Sequence, residues 1–128
     1  KPAYRNGFKH RRCLIPADGF YEWQTPTSGR TKQPFFFRLA DGRPFAFAGL
    51  WEPPAGDAEA ETCAILTTRP NEVVAPVHDR MPVIIPAGLE EVWLEPGDGA
   101  HRRALEPMLE PWSAAGWQCQ RDGQLSLF

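Results

Sequence analysis

The sequence predicts an α+β domain with a mostly antiparallel β-sheet and a few short helices. Short apolar runs rich in aromatic and β-branched residues alternate with turn residues, as in antiparallel proteins. The dipeptide Asp41-Gly42, a strong signal for a tight turn between strands, lies between two of these runs. Apolar residues at helical spacing occur only in short segments. We therefore expect the helices to cover the sheet.

The amino-terminal segment, residues 1–11, is expected to form one short helix. Tyr4 and Phe8 lie four positions apart among basic residues, so a helix packs both rings inward and the cations outward. Asn6 and Gly7 weaken this prediction because both have low helical propensity.

Strands are predicted at residues 14–15 and 20–23, which flank a turn. A polar segment with Pro and Gly, residues 25–33, is expected to be a hairpin loop. Residues 34–39 and 44–51 are then predicted to pair with each other as a long core hairpin around Asp41-Gly42.

The second half of the chain is expected to contain one more buried strand and several short helices. Residues 62–68 are apolar enough for a buried strand, and a proline suited to a first helical turn begins a short helix at residues 70–75. Residues 87–94 and 97–109 show helical spacing. Residues 113–123 have weak periodicity, so we expect an ordered tail at best.

Glu22 is an acid within an otherwise apolar and aromatic run. In a strand it shares a face with Phe20, where a core side chain is expected. A buried carboxylate must be paired, hydrogen-bonded or protonated, and each of these conditions favours a chemical role. The alternative is that strand twist lets Glu22 reach solvent.

His78 lies in a polar triplet between the predicted helix 70–75 and an apolar strand. This position at a strand mouth favours function, because loops held by a rigid scaffold often carry it. The alternative is a structural histidine that hydrogen-bonds a backbone carbonyl.

Length, composition and cysteine content indicate a single domain. The chain has 128 residues, 42% of them hydrophobic, and no apolar run approaches the roughly 18 residues of a membrane span. Cys13, Cys63 and Cys119 lack metal-ligand spacing, and the first two are expected to be buried thiols in a reducing compartment. We therefore expect a soluble intracellular protein.

Basic residues are concentrated at the amino terminus. The first twelve residues contain five of the fourteen bases and no acid, so the remainder carries nine bases against sixteen acids, a net charge of −7. This distribution favours a local phosphate contact over bulk attraction to nucleic acid, although a solvated amphipathic segment explains it equally well.

The aromatic density of the predicted strands has two explanations. A base-stacking platform, as in proteins that bind single strands, is one of them. We favour core packing, because Phe45 and Phe47 alternate with Ala46 and Ala48 as a two-faced strand requires.

Four segments together resemble the SOS response-associated peptidase (SRAP) family, which shields abasic sites in single-stranded DNA: residues 13–23, 32–36, 65–68 and 77–83. The resemblance covers about residues 1–94. It implies a strongly curved, barrel-like sheet and no metal or organic cofactor. In that family an amino-terminal Cys forms a thiazolidine crosslink with the abasic sugar, and DNA-lyase and self-processing peptidase activities accompany it.

The resemblance also implies roles for individual residues. By position, Glu22 and His78 match the catalytic glutamate and histidine, Thr67 a pocket-lining threonine, and Arg80 a phosphate-contacting arginine. Proton transfer by Glu22 and His78 suits both sugar ring opening and Schiff-base formation. We expect further DNA contacts from the amino-terminal basic residues Arg5, Arg11 and Arg12.

The family's nucleophilic Cys has no match in this sequence. The thiazolidine needs an amine and a thiol on one terminal residue, whereas the nitrogen of Cys13 is an amide. We expect residues 1–123 to be the carboxyl-terminal portion of an SRAP domain whose amino-terminal part lies upstream. The alternative is a non-catalytic single-strand DNA-binding or clamp-tethered fragment.

The last five residues resemble the pentapeptide by which bacterial repair proteins bind the sliding clamp. Residues 124–128 are therefore expected to be a tail that uses Gln124, Leu125, Leu127 and Phe128 for this contact. The alternative is an apolar tail packed on its own domain.

The resemblance to the SRAP family implies a monomer in the cytoplasm, near the nucleoid. Such a protein acts on abasic single-stranded DNA in the SOS response and contacts no membrane.

Overall fold

The computed structural model describes residues 2–29, 31–97 and 99–122, arranged as short helices and antiparallel strands. The elements in chain order are α1 Pro2–His10, β1 Arg12–Ala17, β2 Phe20–Gln24, β3 Gln33–Leu39, β4 Phe45–Glu52, β5 Thr62–Ile65, β6 Thr67–Thr68, β7 Met81–Pro82, α2 Glu90–Leu94, α3 Gly99–Leu105 and β8 Trp117–Arg121. A 3₁₀ turn at Glu106–Leu109 follows α3. The predicted α+β, mostly antiparallel fold is confirmed. The clamp-like tail at residues 124–128 lies outside the described residues.

The strands form separate sheets that do not close into a barrel. Their orders are β1-β4-β5, β2-β3-β8 and β6-β7, and every pairing is antiparallel. The loop at residues 25–33 joins β2 and β3 as the predicted hairpin. Consecutive strands β1 and β2 lie in different sheets, so the chain crosses between layers at residues 18–19.

The predicted hairpin between residues 34–39 and 44–51 is wrong. The turn itself is present, since Gly42 has φ 75° and donates its N–H to the carbonyl of Leu39 at 3.0 Å. The strand after the turn pairs with β1 and β5, and the strand before it pairs with β2 and β8. Both edges of each strand are thus occupied, and the turn carries the chain from one sheet to the other.

Aromatic side chains between the two three-stranded sheets form one part of the core. Phe20 stacks on Phe37 with ring centroids 5.0 Å apart, and it meets the edge of Phe47 at 5.9 Å. Phe45 contacts Phe47 at 5.3 Å. The predicted core packing of Phe45 and Phe47 is confirmed, because edge-on and offset ring contacts are the favoured way to bury such residues.

The helices cover the β1-β4-β5 sheet. Trp93 of α2 and Leu105 of α3 are buried in one cluster with Ala48 and Val83. The indole N–H of Trp93 donates to the carbonyl of Cys13 at 2.9 Å, which satisfies its polar atom in the core. Both carboxyl-terminal helical predictions and the helix at the amino terminus are confirmed, but Tyr4 is exposed.

Residues 62–68 do not form the predicted buried strand. All four residues of β5 are exposed, because β5 is an edge strand paired only with β4 among the described residues. The strand ends at Ile65. The N–H of the next residue, Leu66, donates to the Ala48 carbonyl, and the Leu66 carbonyl accepts from the N–H of Val83. Cys63 is therefore exposed and Cys13 half-buried, which corrects the expected pair of buried thiols.

The segment after residue 113 contributes a strand that its weak periodicity does not reveal. β8 pairs with β3, with Cys119 opposite Phe37. The Gln33 side chain donates to the Asp122 carbonyl at 2.5 Å, which fixes the end of this pairing. The expected tail is thus the third strand of the β2-β3-β8 sheet.

Arg12 joins the ends of two helices. Its guanidinium donates to the carbonyls of Trp93 at 2.7 Å, Glu95 at 2.6 Å and Phe8 at 2.5 Å. It also lies 5.9 Å from the Phe8 ring and 5.8 Å from the Trp93 ring. These carbonyls are at the carboxyl-terminal ends of α1 and α2, where cations and donors are most stabilising.

Substitution of Arg12 by lysine is expected to destabilise the domain. A single ammonium replaces the guanidinium fork, so several carbonyls lose their donor and the free energy of unfolding falls by about 2 kcal/mol. Urea denaturation measures this change, with Arg103→Lys on the exposed surface of α3 as the matched control. Equal stability of the two variants would mean that the Arg12 contacts contribute nothing specific.

Candidate active site

Glu22 lies in the middle of β2, opposite Phe35 of β3. Its neighbours Tyr21 and Trp23 point to the other side of the sheet, as alternation along a strand requires. The Glu22 side chain retains 22% of its exposure, so the carboxylate is neither fully buried nor free in solvent. The two alternatives for Glu22 are thus resolved in favour of a half-buried carboxylate.

Two successive turns within residues 71–78, rather than the predicted helix 70–75, position His78. The Asn71 carboxamide oxygen accepts from the N–H groups of Val73 and Val74 at 3.1 Å each, and the His78 N–H donates to the Val74 carbonyl at 3.0 Å. Asn71 caps the first of these turns as it would cap a helix, but the turns do not continue into one.

A hydrogen bond from Gln24 ties this turn to the strand that carries Glu22. The Gln24 carboxamide donates to the carbonyl of Pro76 at 2.7 Å. Gln24 shares its strand face with Glu22, and Pro76 is two residues before His78. This hydrogen bond holds the turn against the strand, so the Glu22 carboxylate and the His78 imidazole lie close together.

The Glu22 carboxylate lies 3.9 Å from Nδ1 of His78. The same nitrogen is 3.4 Å from Asp79 Oδ1, 3.0 Å from the Arg80 carbonyl and 3.1 Å from the Arg80 nitrogen. The Arg80 N–H donates to Nδ1 when the ring proton is on Nε2, and Nδ1 donates to the Arg80 carbonyl when the proton is on Nδ1. Nε2 has no hydrogen-bond partner within residues 2–29, 31–97 and 99–122, so it is open to a bound molecule in either tautomer.

Burial raises the pKa of Glu22 above its ordinary value of 4.5. The positive charge of His78, when protonated, acts in the opposite direction, and the Asp79 carboxylate adds to the increase. A carboxyl group with a raised pKa gives and takes a proton closer to neutral pH than a surface glutamate does. The pair can therefore exchange protons with a bound substrate.

Arg80 and Thr67 extend this cluster. The Arg80 guanidinium donates to the Thr67 carbonyl at 2.8 Å and to its hydroxyl at 3.1 and 3.3 Å. Thr67 is in β6 and pairs with Pro82 of β7, so the β6-β7 ribbon holds the arginine beside His78. The sequence-predicted residues Glu22, His78, Thr67 and Arg80 thus lie in one connected group.

The three amino-terminal arginines have different surroundings. Arg5 on α1 lines a cavity of about 450 Å³ that Thr67 also lines. Arg11 pairs with Glu52 at 2.9 Å, and the carbonyls around Arg12 engage its guanidinium. Arg5 therefore shares a cavity with one residue of the candidate site, Thr67, whereas Arg11 and Arg12 make structural contacts that sequence reasoning missed.

Sequence reasoning also missed Asp79, Gln24 and Asn71. Asp79 is next to His78 in the chain, and an Asn placed just before a predicted helical turn is a recognisable capping signal. The contact of Gln24 joins residues 52 positions apart, and no local pattern reveals it.

No group of three or more His, Cys, Asp or Glu side chains in the described part of the chain is arranged to hold a metal ion. The described helices are also too short or too polar to cross a membrane. The groups that the site does offer are a carboxylic acid, an imidazole, a hydroxyl and a guanidinium.

Comparison with known proteins identifies relatives of the whole described fold. The family model for the SOS response associated peptidase (SRAP) matches residues 1–121. The abasic site processing protein YoqW of Bacillus subtilis strain 168 is 42% identical over 117 residues, which cover 89% of this chain and 51% of that protein. The abasic site processing protein HMCES of Gallus gallus is 32% identical, covering 83% of this chain and 38% of its own length. The predicted family resemblance is confirmed.

Solved structures agree with this result. A protein from Bacteroides thetaiotaomicron superposes with a TM-score of 0.78 at 28% identity, covering 93% of this chain and 52% of that one. A phage-related protein from Bordetella bronchiseptica gives a TM-score of 0.71 at 31% identity, covering 94% and 57%. The chain thus spans about half the length of these solved structures and of the YoqW protein.

Glu22→Gln is expected to change how stability depends on pH. Because burial raises the pKa of Glu22, the folded state holds this proton more tightly than the unfolded state. Ionisation therefore costs stability as pH rises from the ordinary value of 4.5 through the raised folded value. The glutamine variant should lose less stability than the parent protein between about pH 4 and pH 7.

Urea denaturation at both pH values measures this difference. Glu61→Gln removes an exposed carboxylate on the loop before β5 and is the matched control. If Glu22→Gln and the parent protein differ in stability by the same amount at both pH values, burial does not perturb the pKa of Glu22.

Proposed function

Because the chain belongs to the SOS response associated peptidase (SRAP) family, we propose that it recognises abasic sites in single-stranded DNA and supplies the acid–base groups that process them. The observation that carries the proposal is the approach of Glu22 to His78 at 3.9 Å, with Arg80 hydrogen-bonded to the same imidazole through its backbone. Relatives are named abasic site processing proteins, which supports the same substrate.

Ring opening of the abasic sugar is the first step that needs these groups. The closed hemiacetal has no aldehyde, and opening it requires a proton on the ring oxygen and removal of the proton from the anomeric hydroxyl. Burial raises the pKa of Glu22, so its carboxyl group donates a proton closer to neutral pH than a surface glutamate does and suits the acid role. His78 suits the base role through Nε2 in the tautomer that carries its proton on Nδ1, where Nδ1 donates to the Arg80 carbonyl.

Capture of the aldehyde is the second step. An amine adds to the carbonyl carbon, water leaves with the carbonyl oxygen, and a Schiff base forms. A thiol on the same residue then adds to the imine carbon and closes a thiazolidine. The nitrogens of Cys13, Cys63 and Cys119 are peptide amides, so the proposal assigns this aminothiol to a residue outside the present sequence.

The phosphates beside the abasic sugar are assigned to Arg80 and Arg5. Thr67 holds the Arg80 guanidinium at the surface, and the cavity lined by Arg5 begins at the same threonine. A cation fixed by a hydrogen-bonded neighbour loses less side-chain entropy when it binds a phosphate. Guanidinium groups also bind phosphate oxygens in a bidentate manner.

The second candidate function is single-strand DNA binding without chemistry. The open position of the site favours it, because 39% of the His78 side chain is exposed and an intact strand could lie across it. The same cytoplasmic, nucleoid-associated setting applies to both candidates. Clamp binding by residues 124–128 stays a prediction, since that segment lies outside the described residues.

A free aminothiol allows the proposed chemistry to be measured on this chain. Free cysteine and a single-stranded oligonucleotide with one abasic site are incubated with the protein, and thiazolidine formation is followed by mass spectrometry. We expect the protein to accelerate capture above the protein-free rate. Glu22→Gln should lower the rate of capture by about 100-fold. If the parent protein accelerates capture by less than this, the variant should show only the protein-free rate.

The affinity for the same oligonucleotide is the companion measurement. Glu22→Gln should leave the Kd within about twofold, because an interaction made in the transition state does not stabilise the ground-state complex. Glu61→Gln should change neither quantity. Equal losses of rate and affinity in Glu22→Gln would make the carboxylate structural, and binding without acceleration would favour the second candidate.

Arg80→Ala is expected to weaken DNA binding and to lower its salt dependence. Loss of one phosphate contact reduces the slope of log K against log salt concentration by about 1. Fluorescence anisotropy at several salt concentrations gives the slope, and Arg103→Ala is the control for lost net charge. A slope identical to that of the parent protein would remove Arg80 from the phosphate contacts.

A further inference from the structure

Gln24 is the last residue of β2, and its side chain makes a contact that connects two parts of the candidate site. The carboxamide donates to the carbonyl of Pro76 at 2.7 Å. Gln24 lies two residues after Glu22, on the same face of the strand, and Pro76 lies two residues before His78. This hydrogen bond therefore joins the strand that carries the acid to the segment that carries the imidazole.

The segment 71–78 has further anchors, but these hold the side of it that faces the core. Val74 and Val77 are buried, with 0% and 8% of their surface exposed. At the start of the segment, the Asn71 carboxamide donates to the Trp112 carbonyl at 3.0 Å. Apolar burial is non-directional, so it fixes how deeply the segment lies but not where its exposed side points.

The contact of Gln24 is directional and lies on that exposed side. Among the described residues, the Gln24 carboxamide makes the only side-chain hydrogen bond between β2 and the segment 71–78. The bond lies at the protein surface, where water competes for both partners, so it contributes little to the free energy of unfolding. The geometry that it maintains explains it better than the stability that it adds.

We propose that Gln24 is a positioning residue, which keeps the His78 imidazole next to the Glu22 carboxylate while a substrate is processed. The acid and the base of one reaction must reach the same sugar together, and a displacement of about 1 Å can lower a rate by about 100-fold. The inference rests on the proposed function for the reaction that Gln24 serves, but not for the geometry.

Gln24→Met tests the role in the reaction. Methionine keeps a side chain of similar length without charge and removes the N–H donor. Formation of the thiazolidine from free cysteine and the abasic oligonucleotide should slow by about 10-fold or more. The Kd for the oligonucleotide should stay within about twofold, because Gln24 acts through His78 and not on the DNA.

Gln33 provides the matched control. It lies directly opposite Gln24 in the β2-β3 pair, and its carboxamide also donates to backbone carbonyls, to that of Pro34 at 3.0 Å and to that of Asp122 at 2.5 Å. These contacts fix the end of β8 instead of the segment 71–78. Gln33→Met should therefore leave the rate of capture within about twofold. Equal losses of rate in the two variants would make Gln24 merely structural and would overturn the proposal.

The pKa of Glu22 reports the position of the imidazole without any substrate. Among the described residues, the charged groups that act on it are His78, which lowers this pKa when protonated, and Asp79, which raises it, and the effect of His78 is the larger. Both belong to the part of the chain that the Gln24 contact holds. Carbon-13 NMR should therefore show a higher Glu22 pKa in Gln24→Met than in the parent protein.

A double variant tests whether this change passes through the imidazole. In a His78→Gln background, Gln24→Met should cause no further rise in the Glu22 pKa, because the imidazole is already absent. A Glu22 pKa that Gln24→Met leaves unchanged would overturn the proposal. A rise of equal size with and without His78 would overturn it as well.

Nitrogen-15 relaxation of the Gln24 carboxamide gives a measurement that needs no substitution. A carboxamide held on the Pro76 carbonyl should have an order parameter close to the value of about 0.85 that is typical of a rigid backbone. An order parameter below about 0.6 would show a freely moving side chain and would contradict the positioning role.

These measurements separate the inference from the proposed function. If the parent protein does not accelerate aldehyde capture but Gln24→Met raises the Glu22 pKa through His78, the chemistry is rejected and the positioning of the imidazole stands. If the parent protein and Gln24→Met accelerate capture equally, the positioning role alone is rejected.

Discussion

The approach of the Glu22 carboxylate to the His78 imidazole is the constraint on which the rest of the site depends. Burial of Glu22 in β2 raises its pKa, and an imidazole 3.9 Å away partly compensates for the cost of its charge. The Gln24 side chain joins the segment 71–78 to the same strand, and Val74 and Val77 of that segment pack in the core with Phe37. The fold thus loses some stability by keeping a partly buried carboxylate beside an imidazole, which is a common arrangement at active sites.

The two three-stranded sheets explain how residues so far apart in the chain meet. The chain changes sheet after β1 and again after β3, so β2 lies over the Phe20–Phe47 core and its Glu22 faces the His78 turn. The β6-β7 ribbon then brings Thr67 and Arg80 to the same place. On the other layer, α1 and α2 are joined through Arg12, which leaves Arg5 beside the cavity next to Thr67.

The sequence predicted which residues of the candidate site lie together better than it predicted how the strands pair. An acid in an apolar strand and a polar triplet at a strand mouth are local signals, and family resemblance connected them. The Asp41-Gly42 dipeptide indicates a reversal, but it does not say which strand the chain joins afterwards, so the predicted hairpin was wrong. β8 was missed because half-exposed edge strands have weak periodicity, and the role of Arg12 was missed because its partners are backbone carbonyls distant in sequence.

The proposed function depends on Glu22 and His78 acting as a coupled pair in a partly buried setting. Carbon-13 NMR titration of the Glu22 carboxyl group, in the parent protein and in His78→Gln, tests this coupling most directly. We expect a Glu22 pKa above that of exposed glutamates, and a still higher pKa once His78 is removed, because its positive charge lowers the value. A Glu22 pKa that is ordinary, or that does not change in His78→Gln, would contradict the coupling.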